Sequence, residues 1–375
     1  MKRSNFPLLS KITYLDNAAS TLKPKIVIKS IKNFYTHNPV NPNNKDSTLG
    51  YKNNLLINKC REDVGNLLSC TKDEVIFTSG TTDSINKFAI MIEHTLNDGD
   101  EIIVDAHNHN SNVGPWLFIN EKRKKIKVIV TDNILSKITK KTRLIAMASE
   151  SNLFQSETSY EEIKKNLLNK EIIIFRDEAQ TIASKKISLG SNEVIVFSGN
   201  KIYGPTGIGV LAISRNILKT IRPCFHGGSN ISEIRKNEMK HYSGIRGFET
   251  GTPNTAGIIG MGAGINYFLT ENSDMNLMIN YAFEELSKLN KVIMHSKSPS
   301  KIIIFNIKNI NSQDVSTFLS QKNIIVRSGK HCSYISCEKY KLNDVVRISL
   351  APYNNKKDID KLIKVLKNEN NFITI

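Results

Sequence analysis

The chain has 375 residues, 39% of them hydrophobic, and a formal net charge of +17. That is enough apolar chain for a large core divided into one large and one small unit, and no apolar run of roughly eighteen residues offers a membrane span. The first residues, Met1-Lys2-Arg3-Ser4-Asn5, lack the apolar stretch of a secretory signal, and five scattered cysteines point to a reducing, cytoplasmic compartment rather than to disulfides or zinc.

The densest basic run, Glu121 to Lys127, has no interleaved aromatics and precedes a strand near Val128. It reads as a solvated hairpin face, not as a nucleic-acid surface.

Taken from the N-terminus, the first dozen residues are expected to pack with the C-terminal part of the chain, and Asn41 to Asn44 is a Pro/Asn loop. A strand from Glu74 to Phe77 runs into Ser79-Gly80-Thr81-Thr82, and Ile85, Phe88, Ala89 and Ile92 then repeat at helical spacing. Backbone amides at a helix start, with the hydroxyls of Thr81 and Thr82, suit a phosphate. The strand Glu101 to Val104 leads to Ala106-His107-Asn108-His109-Asn110. Two histidines two apart suggest a metal, but no Cys, Asp or Glu follows at ligand spacing. His109 is read instead as a cover for the face of a ring.

Further strands are expected near 128 and 143. The apolar strand Glu171 to Phe175 places Asp177 at its carboxyl end, where open parallel sheets bind ligands. A carboxylate there can keep a pyridine nitrogen protonated, and it can also cap a following helix.

The most informative segment is Phe197-Ser198-Gly199-Asn200-Lys201-Ile202-Tyr203-Gly204-Pro205-Thr206-Gly207. A strand, Glu193 to Phe197, delivers Lys201 into a Gly-rich turn, and a second strand, Gly207 to Ile213, follows at once. A lysine held this way can form a Schiff base with a carbonyl cofactor such as pyridoxal phosphate (PLP). Ser198 can add a hydroxyl to the phosphate site.

These strands alternate with helical patterns, the signature of a mainly parallel sheet covered on both faces. Gly257 to Leu269 reads as the helix leading out of it. A smaller α/β unit follows, with strands at 301–307, 324–327 and 345–350 and helices at 313–319 and 356–367. Within it lies Arg327-Ser328-Gly329-Lys330-His331-Cys332-Ser333, where Lys330 and His331 add positive charge beside a thiol and so favour a reactive thiolate. The polar segment Ser328 to Lys341 shows no periodicity and is expected to be a mobile loop. Cys337, five residues on, is read as incidental. Arg347, a charge inside an apolar strand, calls for a bidentate partner such as a bound carboxylate.

With these pieces assembled, the chain resembles a cysteine desulfurase of the SufS-like group, within the class V aminotransferases. The likeness runs from Tyr14-Leu15-Asp16-Asn17-Ala18-Ala19-Ser20 to the C-terminal helix. Its most specific parts are the lysine turn, Phe248-Glu249-Thr250-Gly251-Thr252-Pro253-Asn254-Thr255, the Gly-Lys-His-Cys loop, and Arg-Ile-Ser-Leu-Ala-Pro-Tyr-Asn at 347 to 354.

The resemblance implies an α/β protein of PLP-dependent transferase fold type I. Its large domain (14–265) would hold the cofactor, and its small domain (1–13 with 266–375) would carry the cysteine loop. It implies that Lys201 bears PLP, Asp177 pairs with its ring nitrogen and Gln180 contacts its phenolic oxygen. Thr81, Thr82 and Ser198 would hold the phosphate, Thr252 would reach the partner subunit's cofactor in a homodimer, and Asn152 and Arg347 would hold the carboxylate of L-cysteine. Cys332 would take the sulfur as a persulfide and pass it to an acceptor protein of iron–sulfur cluster assembly. Selenocysteine lyase chemistry uses the same residues, and a degenerate binding subunit is the reading from another class.

Four departures from the family pattern stand out. The family usually has His before the Schiff-base lysine, where this chain has Asn200. A His-Arg pair is replaced within Asn41-Pro42-Asn43-Asn44-Lys45-Asp46. Asn-x-x-Gly-Thr becomes Asn152-Leu153-Phe154-Gln155-Ser156, and Gly-His-His-Cys becomes Gly329-Lys330-His331-Cys332.

Overall fold

A computed structural model describes residues 1–154, 156–167, 171–271 and 273–367. Gln155, one of the departures above, lies outside the described residues. After strand β1 (Thr13–Tyr14), helices α1 (Lys25–His37) and α2 (Thr48–Leu67) lead to β2 (Val75–Thr78) and α3 (Thr81–Glu93). Then come β3 (Glu101–Asp105), α4 (Gly114–Lys122), β4 (Lys127–Thr131), β5 (Thr142–Ala148), α5 (Tyr160–Asn166), β6 (Ile173–Asp177), β7 (Glu193–Ser198) and β8 (Gly209–Ile213).

Strands β2 to β8 form one sheet in the order β2-β8-β7-β6-β5-β3-β4. All run parallel except β8, which is antiparallel to both of its neighbours. The reason is chain length: only the turn from 199 to 208 separates β7 from β8, too short for a parallel crossover. The interior strands are buried on both faces, so they read as unbroken apolar runs such as Val194-Ile195-Val196-Phe197. Helices α3 and α4 bury Ile85, Phe88, Ile92 and Trp116 on one face, and a later helix buries Ile258, Met261 and Ile265 on the other.

Beyond β8 come α6 (Arg215–Leu218), an exposed hairpin of β9 (Ile231–Arg235) and β10 (Glu238–His241), α7 (Thr255–Glu271) and α8 (Asn276–Ser287). The hairpin was not anticipated. The C-terminal part holds β11 (Val292–Met294), β12 (Ile302–Ile307), α9 (Ser312–Gln321), β13 (Ile324–Ile325), β14 (Arg327–Gly329), α10 (Tyr334–Lys339), β15 (Val345–Ser349) and α11 (Lys356–Lys367). Its antiparallel sheet, β11-β12-β15-β14, is covered by α8, α9 and α11 through Leu286, Leu319, Leu362 and Leu366.

The first dozen residues pack on both parts. Arg3 pairs with Asp358 at 2.7 Å, while the Phe6 ring lies 4.4 Å from Tyr353 and 5.8 Å from Tyr267. The basic run near 121–127 is no hairpin. It is the turn from α4 into β4, with Lys122 paired to Glu93 and Lys125 to Asp98. Among the described residues no helix is long and apolar enough to cross a membrane.

Candidate active site

Five parallel strands end at the same edge of the large sheet, and each ending supplies part of one cavity. Thr81 and Thr82 follow β2, His109 follows β3, Asn152 follows β5, Asp177 ends β6, and Ser198 and Lys201 close β7. With Gln180 they line a cavity of about 220 Å³. This edge is where an open parallel sheet binds ligands, because helix starts and strand ends converge there.

The hydroxyl end of the cavity is built at the start of α3. Gly80 precedes that helix with no side-chain cap, so the amides after Thr81 stay available. The Ser198 hydroxyl lies 2.7 Å from both the amide nitrogen and the hydroxyl of Thr81, and Thr82 meets Ser111 at 2.9 Å. The approach of β8 requires glycine: a Cβ on Gly209 would sit 2.5 Å from the Gly80 Cα. Three hydroxyls and a helix start make a phosphate cradle.

At the other end, Asp177 is 6% exposed. Burial pushes its carboxyl up to about 6, although the Ala179 amide donates to it at 3.0 Å. Desolvation, then Arg347, pulls the Lys201 amine down to about 8, with Asp177 opposing. His109 is half-buried, and desolvation followed by Lys201 and the nearby arginines lowers it to about 4, so its ring is neutral. The Ser111 amide donates to its Nδ1 at 3.1 Å, which leaves the proton on Nε2. A buried carboxylate, a depressed amine, a neutral flat ring and a phosphate cradle in one cavity fit PLP.

The charged form of Asp177 costs stability in the cofactor-free protein. Its folded value lies above that of an unfolded aspartate, so its contribution is fully present below about 4 and is lost as the pH rises through about 6. We expect Asp177→Asn to stabilise the cofactor-free protein at pH 8 by on the order of 2–3 kcal/mol. Urea unfolding reads this as a higher midpoint at unchanged slope, and an unchanged or lower midpoint would contradict it.

A strap not foreseen as part of the site, Asp16 to Lys23, lies over the lysine turn. The Ala18 carbonyl accepts from the Lys201 amine and, at 3.0 Å, from Gln180. Asn200 donates to the Ala19 carbonyl at 3.2 Å, and its own carbonyl accepts from the Thr21 amide at 2.9 Å. The residue standing where the family has His thus ties the strap down.

Cys332 does not line the cavity itself. It follows β14 in a turn in which His331 (φ 52°) and Cys332 (φ 56°) both adopt the left-handed conformation. For side chains other than glycine that costs roughly 1–2 kcal/mol per residue, so the turn must be held from outside. The segment Ser328 to Lys341, expected as a loop, contains α10, and Ser333, Ser336 and Cys337 are buried within it.

The expectation that His331 adds charge beside the thiol does not hold. Burial, followed by Arg347, lowers its imidazole to about 3, and its Nε2 donates to the Val345 carbonyl at 3.2 Å. The cations near this turn are Arg347, Arg327 and Lys330. Cys337 is packing: its thiol points at the Lys330 carbonyl at 3.7 Å, and burial raises it.

Arg347 is 2% exposed and bridges the two sides. Its Nη1 donates to the Asn152 carbonyl at 3.0 Å and its Nη2 to the Asp16 carboxylate at 3.1 Å. The carboxylate that the sequence called for is therefore met by Asp16. The Asn152 amide donates to the His331 carbonyl at 2.7 Å.

Thr252 is not brought to the Lys201 cavity of its own chain. It lies exposed beside a separate cavity of about 750 Å³ that Lys45, Arg246 and Pro42 also line. The replaced His-Arg pair maps to this second cavity as well. Ser111, Asp16, Asn110 and Ser333 are parts of the site that the sequence reading missed. Only the short-range pair Ser111–His109 carried a local signal, a small hydroxyl two residues from the histidine.

A family model described as aminotransferase class-V matches residues 13–362. The probable cysteine desulfurase of Borreliella burgdorferi is 35% identical over a match that covers 97% of this chain and 94% of that protein. The corresponding protein of Ureaplasma parvum is 31% identical over 95% and 93%. Among solved structures, the cysteine desulfurase CsdA from Escherichia coli has a TM-score of 0.88 at 27% identity, covering 97% of this chain and 96% of that one. The apo cysteine desulfurase from Thermococcus onnurineus has a TM-score of 0.90 at 26% identity, with the same coverage. Matched in sequence and in fold over nearly its whole length, the chain belongs to the class V aminotransferase family, in the company of its cysteine desulfurases.

Proposed function

We propose that this protein is a PLP-dependent cysteine desulfurase, converting L-cysteine to L-alanine and keeping the sulfur as a persulfide on Cys332. The observation that carries the reading is one cavity holding the Lys201 amine and the buried Asp177 carboxylate, with Asn152 on its wall bound to the turn that bears Cys332. Bound through Lys201, PLP supplies an electron sink for the substrate's α-carbon.

The chain's own residues do the rest. Thr81, Thr82 and Ser198 hold the phosphate. Asp177 would keep the proton on the ring nitrogen, Gln180 would contact the phenolic oxygen, and the neutral His109 would cover the ring face. Arg347 and Asn152 hold the substrate carboxylate. Asp16, already on that guanidinium, marks the charge type the site accepts. Lys201, whose amine is pulled down to about 8, is suited to move the α-proton near neutral pH. The Cys332 thiolate attacks the substrate sulfur. The new S–S bond forms as the C–S bond breaks, its electron pair returns to carbon, and carbon takes up the proton that the thiol gave up.

The Gly-Lys-His-Cys loop supports the SufS-like group. The division into residues 14–265 and 1–13 with 266–375 accords with the two sheets. Five free cysteines accord with a cytoplasmic protein, and the persulfide suits transfer to an acceptor of iron–sulfur cluster assembly. Thr252, placed away from its own chain's cavity, supports a homodimer with shared sites, as do Ile26, Ile28, Tyr51 and Leu55, exposed on α1 and α2.

The test is to load the purified protein with PLP, add L-cysteine, and measure alanine release and persulfide on Cys332 by mass spectrometry. Stoichiometric persulfide with alanine is expected, from a protein that sediments as a dimer. A loaded protein that forms neither product would refute the reading.

A further inference from the structure

The turn carrying Cys332 is gripped on both sides of the cysteine. On one side Asn152 spans it: its Nδ2 donates to the His331 carbonyl at 2.7 Å, and its Oδ1 accepts from the Ser333 hydroxyl at 3.0 Å. The amide can face only one way, because the His331 carbonyl requires a donor and Ser333 then meets the oxygen. Asn152 and His331 are each 6% exposed and Ser333 is fully buried, so water offers no replacement for these bonds. On the other side, the Asn110 backbone N–H donates to the Cys332 carbonyl at 2.7 Å, and the Asn110 side-chain Oδ1 accepts from the Tyr334 backbone N–H at 3.3 Å. Four consecutive residues, 331 to 334, are thus pinned to loops at the carboxyl edge of the large sheet. Held there, His331 and Cys332 keep their left-handed conformation.

The same Asn152 offers its backbone carbonyl to Arg347 at 3.0 Å. One residue therefore joins the carboxylate end of the site to the turn that carries the nucleophile. Its Nδ2 has a second proton, free for a ligand carboxylate.

We propose that Ser333 is a positioning residue for sulfur transfer, fixing the Asn152 amide so that it holds Cys332 in its turn and connects that turn to the carboxylate of a bound amino acid. Asn110 is the opposing jaw. The role rests on the desulfurase reading, because only a reacting Cys332 gives the placement a use.

The experiment uses PLP-loaded protein and compares Ser333→Ala, Asn110→Ala and Ser333→Thr with the parent. In Ser333→Ala, single-turnover persulfide formation on Cys332 should fall about tenfold, the factor one buried hydrogen bond is worth. Alkylation of Cys332 by iodoacetamide, without substrate, should rise about fivefold as the turn loosens. Cofactor absorbance, and its change on adding L-alanine, should stay as in the parent. A general loss of structure would also lower the first rate and raise the second, but it would take the cofactor absorbance and its response to L-alanine with it. Ser333→Thr, which keeps the hydroxyl, should restore both, and Asn110→Ala should show the same pattern more weakly.

Parent-like persulfide and alkylation rates in Ser333→Ala overturn the proposal. Should Ser333→Ala fail to fold, Ser333→Gly, which also removes the hydroxyl, takes its place, and parent-like rates there overturn the proposal instead. If the parent responds to L-alanine but never forms a persulfide, the desulfurase reading fails while the alkylation ratios still decide whether Ser333 holds the turn.

Discussion

Replacing Lys201 with alanine is expected to remove both the visible absorbance of the PLP-loaded protein and alanine release from cysteine. The loss of turnover should be at least ~10³-fold, because in the proposed reaction one amine would both anchor the cofactor and move the proton. The nearest rival is Lys23. Burial, followed by the charge of Lys201, pulls its amine down to about 7, so it would be nucleophilic at neutral pH. Its hydrogen bonds direct it elsewhere: to the Thr21 carbonyl, to Ser20 at 3.2 Å and to the Asn200 carbonyl at 3.3 Å, all on the strap side of the lysine turn. It does not line the cavity that Lys201 enters. Borohydride reduction of the parent, followed by peptide mapping, should place the adduct on Lys201 alone. A reduced adduct on Lys23, or one persisting in Lys201→Ala with turnover intact, would sink the assignment.

Cys332→Ser should separate binding from sulfur transfer. The fold and the cavity are untouched, since Cys332 contributes only a half-exposed thiol on a turn held by its neighbours. Cofactor absorbance and its response to L-cysteine should therefore persist. Persulfide should vanish and alanine release should fall by roughly 10³-fold or more, as expected when the nucleophile of a covalent step is lost. Some activity on selenocysteine should survive, because selenium leaves more easily and needs less help from a nucleophile. Cys337→Ser is the control. That thiol is buried, faces the Lys330 carbonyl and is raised by its apolar surroundings, so turnover should change by less than about twofold. Alanine release from Cys332→Ser at the parent rate would rule out the mechanism.

Much of the candidate cavity was readable because its signals are local. Asp177 and Lys201 each sit where an apolar strand stops, and the chain announces both strands by uninterrupted apolar residues. The parallel sheet then brings the two ends side by side, at neighbouring positions β6 and β7. The strap from Asp16 was recognisable only as a stretch of family likeness. Its partners, Arg347 and Ser349, lie more than three hundred residues away, and nothing in its own composition states which strand it will meet. Ser333 and Asn110 were missed for the same reason: a lone hydroxyl or amide in a polar run has no periodicity to reveal its contact. The hairpin β9–β10 escaped because its turn begins with Lys236 at φ 51°, where a glycine or asparagine would have signalled the reversal. The charge of His331 was misjudged because sequence adjacency says nothing about burial.

The strap also sets an order of events during synthesis. The Ala18 amide bonds to the Ser349 hydroxyl across 331 residues, and Ser349 donates its own amide to the Leu15 carbonyl. At the ~5–20 residues per second of translation, a ribosome reaches residue 349 roughly 15–65 s after residue 18. For the last part of that interval, after residue 213 is made, the nascent chain already contains the lysine turn, the phosphate cradle and all seven strands of the large sheet. It lacks the strand that anchors the carbonyl lid over Lys201. A chain released before β15 is made would carry the amine under a lid held only from the lysine-turn side, by Asn200, Gln180 and the amine itself, without its anchor in β15.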